Sequence, residues 1–224
     1  LAYKLGNVFL LGMYKDILER DIVQRYKIKH VKVLKDIAKY LISNHSRELS
    51  YNQLCKAFAV KSVHTVKNYI SYLQNAYLVL LVERFSFKLK EPALAPKKAY
   101  CIDTGLVNAV GCSTSADRGR LMENVVAIEL WRRGKELYYW KDHQQREVDF
   151  VLKEGKRIAQ LIQVCADVSH LSTKEREIRA LLIASRELRC KKAVVITDSY
   201  DAYEKHEKLG VRYTPLWKWL LSEP

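Results

Sequence analysis

Residues 146–165 constrain this chain more than any other stretch. Val148, Phe150 and Leu152 alternate with Glu147, Asp149 and Val151, the period of two that marks a strand with two distinct faces. A basic turn over residues 153–157 follows. Residues 158–165 then form a nearly continuous apolar run that reads as a buried central strand. Gln163 and Cys165 share one face of it and Val164 takes the other. Asp149, set between Val148 and Phe150, needs a polar partner if that strand is buried. Arg146 and Gln163 are the candidates.

The surrounding pattern predicts an α/β layer structure. Residues 121–133 have helical character, with Glu123 in the first turn, where an acid favours the helix dipole. Arg132, Arg133 and Gly134 supply a basic last turn and a glycine stop. Residues 137–140 read as a short aromatic strand and 141–145 as a polar turn. Downstream, Ser172 or Thr173 caps a helix over 174–188 with Ile178, Leu181, Leu182 and Leu188 inward. A parallel-type strand follows at 193–197, a short exposed helix at 201–208 ended by Gly210, and a strand at 211–214. Pro215 opens a terminal helix that exposes Trp217 and Trp219. The small, polar residues 111–119 mark the boundary with what precedes.

The first hundred residues differ in charge. They hold 18 Lys and Arg against 7 Asp and Glu, a net of +11 within a total of +14. Such an excess favours an anionic partner. A helix is expected over 14–25. A second carries the stripe Val31, Leu34, Ile37, Ala38, Leu41 and Ile42. Ser50 and Gln53 suggest a capping box for a short third helix, and Ser62 caps a fourth with Val66, Tyr69, Ile70 and Leu73 inward. An extended run at 78–83, a basic loop at 84–98 and a strand at 99–102 complete a hairpin. Three helices followed by a hairpin predict a winged helix over 29–110. In it His64, Thr65, Lys67, Asn68 and Ser71 would face a major groove. Lys88, Lys90, Lys97 and Lys98 would touch phosphates. The same module serves elsewhere as a protein-interaction spacer, and that alternative stays open.

Several classes drop out. No apolar run approaches the roughly 20 residues needed to span a bilayer. Five scattered Cys without C-x-x-C spacing suit reduced thiols and a cytoplasmic setting. His30, His45 and His64 lack metal-like spacing with any Cys. Cys165 and His170 lack a third group to orient them as a nucleophile pair. The phosphate-binding Gly-x-x-x-x-Gly-Lys-Ser/Thr motif is absent from these residues.

Taken together, residues 14–25, 100–106, 123–126, 147–152 and 162–165 resemble the C-terminal half of a family of archaeal and bacterial AAA-type P-loop ATPases. The resemblance implies a winged helix followed by a restriction-endonuclease-like domain of the PD-(D/E)xK type, hence an α/β fold with an N-terminal winged helix-turn-helix and a nuclease-like sandwich over 117–224. Residues 1–28 would be a linker helix after an ATPase domain, since the chain lacks an initiating Met. The family would place site acids at Glu123 and Asp149, then Glu and Lys at 163 and 165. This chain has Gln163 and Cys165. A neutral amide weakens a Mg²⁺ or Mn²⁺ site formed by Glu123, Asp149 and Gln163. A thiol cannot replace the ammonium that supports the attacking water and phosphate charge. Lys174 or Arg146 would be the nearest relocated base. Three readings follow. The first is a double-stranded DNA-binding region with a silent nuclease-like domain. The second is an interaction or homo-oligomerisation scaffold for the parent ATPase. The third is a metal-dependent endonuclease with a non-standard site.

Overall fold

The computed structural model describes residues 2–87, 95–111 and 118–222. It is mixed α/β and divides into two units. The first comprises residues 1–81 and 96–117, the second 82–95 and 118–224.

The first unit begins with helix α1 (Ala2–Asp16), which continues as a π-helical stretch, Ile17–Gln24. Tyr14, Leu18 and Ile22 recur every fourth residue and are buried. The helix extends well upstream of the expected residue 14. Its first turn carries no acid and Val8 and Phe9 remain 69% and 67% exposed, so neither cap nor stripe announces it. Helix α2 (Val31–Ser43) buries the expected Leu34, Ile37, Ala38, Leu41 and Ile42. Strand β1 (Arg47–Leu49) precedes α3 (Tyr51–Ala57) and α4 (Val63–Asn75). Ser62 caps α4 by accepting the His64 amide. Ser50 precedes α3 without a side-chain capping bond, so the expected capping box is not made.

Strand β2 (Val79–Arg84) and strand β3 (Lys97–Cys101) follow. β1 pairs antiparallel with β3, Arg47 opposite Ala99. Asp103 then caps α5 (Thr104–Val110) by accepting the Gly105 amide at 2.5 Å. The centre of the expected basic loop, including Lys88 and Lys90, lies outside the described residues, as do 112–117 of the expected boundary loop.

The second unit runs α6 (Arg118–Arg132), β4 (Glu136–Lys141), β5 (Glu147–Glu154), β6 (Arg157–Val164), α7 (Leu171–Glu187), β7 (Lys192–Thr197), β8 (Ala202–His206), β9 (Leu209–Pro215) and α8 (Leu216–Leu221). Its strands lie in the order β4-β5-β6-β7-β9-β8. β4, β5 and β6 are successively antiparallel, β6, β7 and β9 are parallel, and β8 returns antiparallel on β9. Gly134 (φ +67°) ends α6 in the left-handed conformation that suits glycine.

Helix α7 covers one face of this sheet. Val151, Leu161, Val195 and Val211 pack there against Ile178, Leu181 and Ala184. Burying each such aliphatic side chain contributes about 1.5–3 kcal/mol before entropy is counted.

Three expectations are corrected in this unit. Helix α7 starts at Leu171 after His170, which makes no side-chain cap, rather than behind Ser172 or Thr173. Residues 202–206 form a strand, not an exposed helix. Tyr203 and Lys205 point outward, while Ala202, Glu204 and His206 are half-buried, a period of two that the polar composition obscured. Tertiary contacts decide the matter. Glu204 takes Lys174 Nζ at 2.5 Å, and that ammonium lies 5.0 Å from the Tyr213 ring centre. Burial would raise the Glu204 pKa, but hydrogen bonds from Lys174, Tyr200 and His206 outweigh it and hold the carboxyl down at about 2. Finally, Trp217 is exposed as expected but Trp219 is buried, with the Arg133 guanidinium 4.7 Å over its ring.

Candidate functional site

The β5–β6 pairing assembles the polar centre of the second unit. Phe150 sits opposite Ile162, which sets Asp149 beside Gln163 on the face that α7 covers. Asp149, Gln163 and Glu177 are all buried. The Asp149 carboxylate accepts the Val164 amide at 2.9 Å. The Gln163 carbonyl accepts the Asp149 amide at 3.2 Å, and its NH₂ group donates to Glu177 at 2.6 Å. Arg176 donates to the other Glu177 oxygen, also at 2.6 Å. Burial raises the Glu177 pKa, and the Asp149 charge adds to it, against the pull of Arg176. Cys165 lies at the end of the same strand and donates to the Asp167 carbonyl at 3.2 Å. Burial and the Glu177 charge push its thiol up to about 11, so it is a neutral hydrogen-bond donor at physiological pH.

This arrangement does not fit a Mg²⁺ or Mn²⁺ ion. Gln163, the expected neutral ligand, spends its carbonyl on backbone and its amide on Glu177. Among the described residues, no three His, Cys, Asp or Glu side chains come close enough to hold a metal. Glu123 is buried on α6 beside the fully buried Asn124. The two expected replacement bases are engaged elsewhere. Lys174 is held by Glu204, and Arg146 pairs with Asp142 at 2.6 Å, not with Asp149. Arg176 is a cation beside the cluster, its pKa raised by Glu177 first and by Cys165 and Asp149 further away.

Sequence reasoning missed Arg176 and Glu177. A signal existed: positions 177, 181, 184 and 188 form the inward stripe of α7, and Glu177 is the acid on it.

In the first unit, α4 presents His64, Lys67 and Ser71 to solvent, with Thr65 and Asn68 half-buried. His64 and Asn68 are 3.3 Å apart through their side-chain nitrogens. Lys67 lies 5.5 Å over the Tyr51 ring. Tyr72 stacks on Tyr26 with ring centres 3.8 Å apart and is not free for contact. Lys97 is half-buried. Lys98 is only 3% exposed, which removes it from the expected phosphate-contacting set.

Comparison with known proteins places this geometry in a family. Residues 5–117 match the Domain of unknown function (DUF8612). The chain belongs to the DUF8612 family. Residues 118–219 match a second Domain of unknown function (DUF4143). The chain is 35% identical to the uncharacterized protein MJ1544 of Methanocaldococcus jannaschii, over 95% of this chain and 50% of that protein. It is 26% identical to an uncharacterized protein of Haemophilus influenzae, over 97% of this chain and 53% of that one. The chain thus spans about half the length of these curated relatives. A solved assembly of Thermococcus gammatolerans McrB AAA+ hexamers with bound McrC gives a TM-score of 0.34 at 11% identity, covering 82% of this chain and 70% of that one. No helix among the described residues is long and apolar enough to cross a membrane.

Proposed function

We propose that this chain is the double-stranded DNA-binding part of an ATPase-associated protein, and that its second unit is a nuclease-like scaffold without hydrolytic activity. The observation that carries the reading is the face of α4. His64, Lys67 and Ser71 stand exposed on one helix within the stretch that holds the +11 charge excess. The order helix, strand, helix, helix, strand, strand from α2 to β3, with β3 between β1 and β2, supports a winged helix that offers α4 to the major groove. The closed Asp149–Gln163–Glu177 network supports the silent role of the second unit.

Anisotropy titrations of a labelled duplex across a salt series test the reading. Lys67→Ala is expected to lower the salt slope by about 1, the signature of one lost phosphate contact. His64→Ala together with Ser71→Ala is expected to weaken binding at every salt concentration. An unchanged duplex affinity in both variants contradicts it.

A second reading, a docking scaffold, is favoured by the apolar residues exposed on α1, Val8, Phe9 and Met13. Patches of that kind mark contact sites. Light scattering of the isolated chain separates the two, because only the scaffold reading predicts association without DNA.

A further inference from the structure

In the second unit, the face of the sheet opposite α7 carries a groove of about 740 Å³. Ile162 and Val194 line its floor, and Leu130 of α6 and Trp219 of α8 close one side. Eight Lys and Arg side chains surround this space against a single acid, Glu154, and Glu154 is itself paired with Arg157 at 3.2 Å. Arg133, Arg212 and Lys218 are also committed, to Glu129 and Asp201. Of the other four, Lys192 opens β7, and Lys135, Arg189 and Lys191 form no ion pair among the described residues. These three stand on two separate loops, after α6 and after α7.

The second loop is held firmly. The Cys190 amide bonds the Ser185 carbonyl at 3.0 Å, closing the end of α7 in a Schellman-type turn. Ser185 Oγ donates to the Cys190 carbonyl at 2.6 Å. Arg189 occupies the left-handed position of this turn at φ 53°, where glycine is the favoured residue. The fold therefore fixes Arg189 and Lys191 at the rim, and an arginine occupies a position where glycine would be more stable.

We propose that this groove binds the phosphodiester backbone of single-stranded nucleic acid. Separate, unpaired cations along a rim match a repeating monovalent anion. A single small anion would instead need donors that converge on one point. An aliphatic floor below the rim can bury the apolar faces of unstacked bases, whereas the bases of a duplex are turned inward and cannot reach it. Acidic peptides share the charge but not the flat apolar faces. The site lies across the sheet from Asp149 and Glu177 and in a different unit from α4, so it stands independently of the α4 reading.

Anisotropy with labelled oligothymidylate tests it. Combined Lys135→Gln, Arg189→Gln and Lys191→Gln substitutions are expected to reduce the salt slope by about 2, at about 0.7 per contact for a single strand. His64→Ala with Ser71→Ala is expected to leave oligothymidylate affinity unchanged. Arg189→Gly provides the control for folding. It is expected to raise the melting temperature while weakening oligothymidylate binding, a combination that a purely structural residue does not give. Three results each overturn the proposal: an unchanged slope in the triple variant, equal loss in the α4 variant, or displacement of oligothymidylate by poly-glutamate at matched charge.

Discussion

Asp149→Ala is expected to destabilise the second unit by about 2 kcal/mol, because it leaves a half-buried backbone donor without its acceptor. The carboxylate of Asp149 accepts the Val164 amide across the β5–β6 pair, and Asp149 itself is buried. At this chain length such a loss lowers the melting temperature by about 5–10 °C. Asp149→Asn retains an acceptor oxygen and is expected to lose less than half as much. The sign discriminates between roles. Asp149 also repels Glu177, so a net loss requires the Val164 bond to outweigh the relief of that repulsion, whereas an acid kept only for metal chemistry gives relief alone when no metal is bound. Thermal denaturation of the two variants in chelator-containing buffer reads the difference directly. A melting temperature that stays constant or rises in Asp149→Ala contradicts the structural role.

The second large effect is on pH dependence and comes from Glu177. Burial raises its folded pKa above the ordinary value of 4.5. A raised carboxyl binds its proton more tightly in the folded chain than in the unfolded one. Its contribution to stability is therefore fully present below the unfolded pKa and is lost as pH rises through the folded one. Glu177→Gln removes this titration. The variant is expected to be more stable than the parent chain at pH 7, by on the order of 1 kcal/mol, and to show no such decline above pH 4.5. The lost ion pair counts for little against this, since the Arg176 side chain is 73% exposed and exposed pairs contribute little. Urea denaturation of both proteins across pH 4–8 checks it. A variant less stable at pH 7, with the same pH profile as the parent, contradicts the assignment of burial as the dominant cause.

Glu129 behaves in the opposite way. Arg132 and Arg133 hold its carboxyl down at about 2, so its contribution is present above pH 4.5 and fades only towards pH 2. The two acids therefore do not mask each other within the neutral range.

How much of this was legible in the sequence depends on whether the signal was local. The stripe of α2, the Ser62 cap and the alternation from Glu147 to Leu152 are set by neighbours within one or two turns, and all appear as read. Gly134 likewise marked the end of α6. The β8 strand was missed because Asp201, Glu204, Lys205 and Glu207 look like a solvated helix. Its strand character comes from pairing with β9 and from Lys174 on α7, thirty residues upstream of Glu204. Trp219 was misplaced for a related reason, since its cover is Arg133, 86 residues away. The candidate site was half legible. Asp149 and Gln163 were named from the resemblance, with strand alternation setting their faces, and the mismatch at Cys165 was visible against the pattern that the resemblance implies. Glu177 lay hidden within an apolar helix stripe, and only the packing of α7 on β6 brings it to Gln163. The basic groove was invisible because its cations come from loops more than fifty residues apart in the chain, each an ordinary surface lysine or arginine when read alone.

The central claim is that this chain holds DNA through exposed cations while its carboxylate–amide cluster stays chemically silent. It is tested most directly by incubating labelled duplex with the chain, with and without Mg²⁺ or Mn²⁺. Anisotropy is read across a salt series, and the same samples are then run on a denaturing gel. The account predicts salt-sensitive binding and intact DNA in every lane, with or without metal. Metal-dependent cleavage that disappears in Asp149→Asn would contradict it.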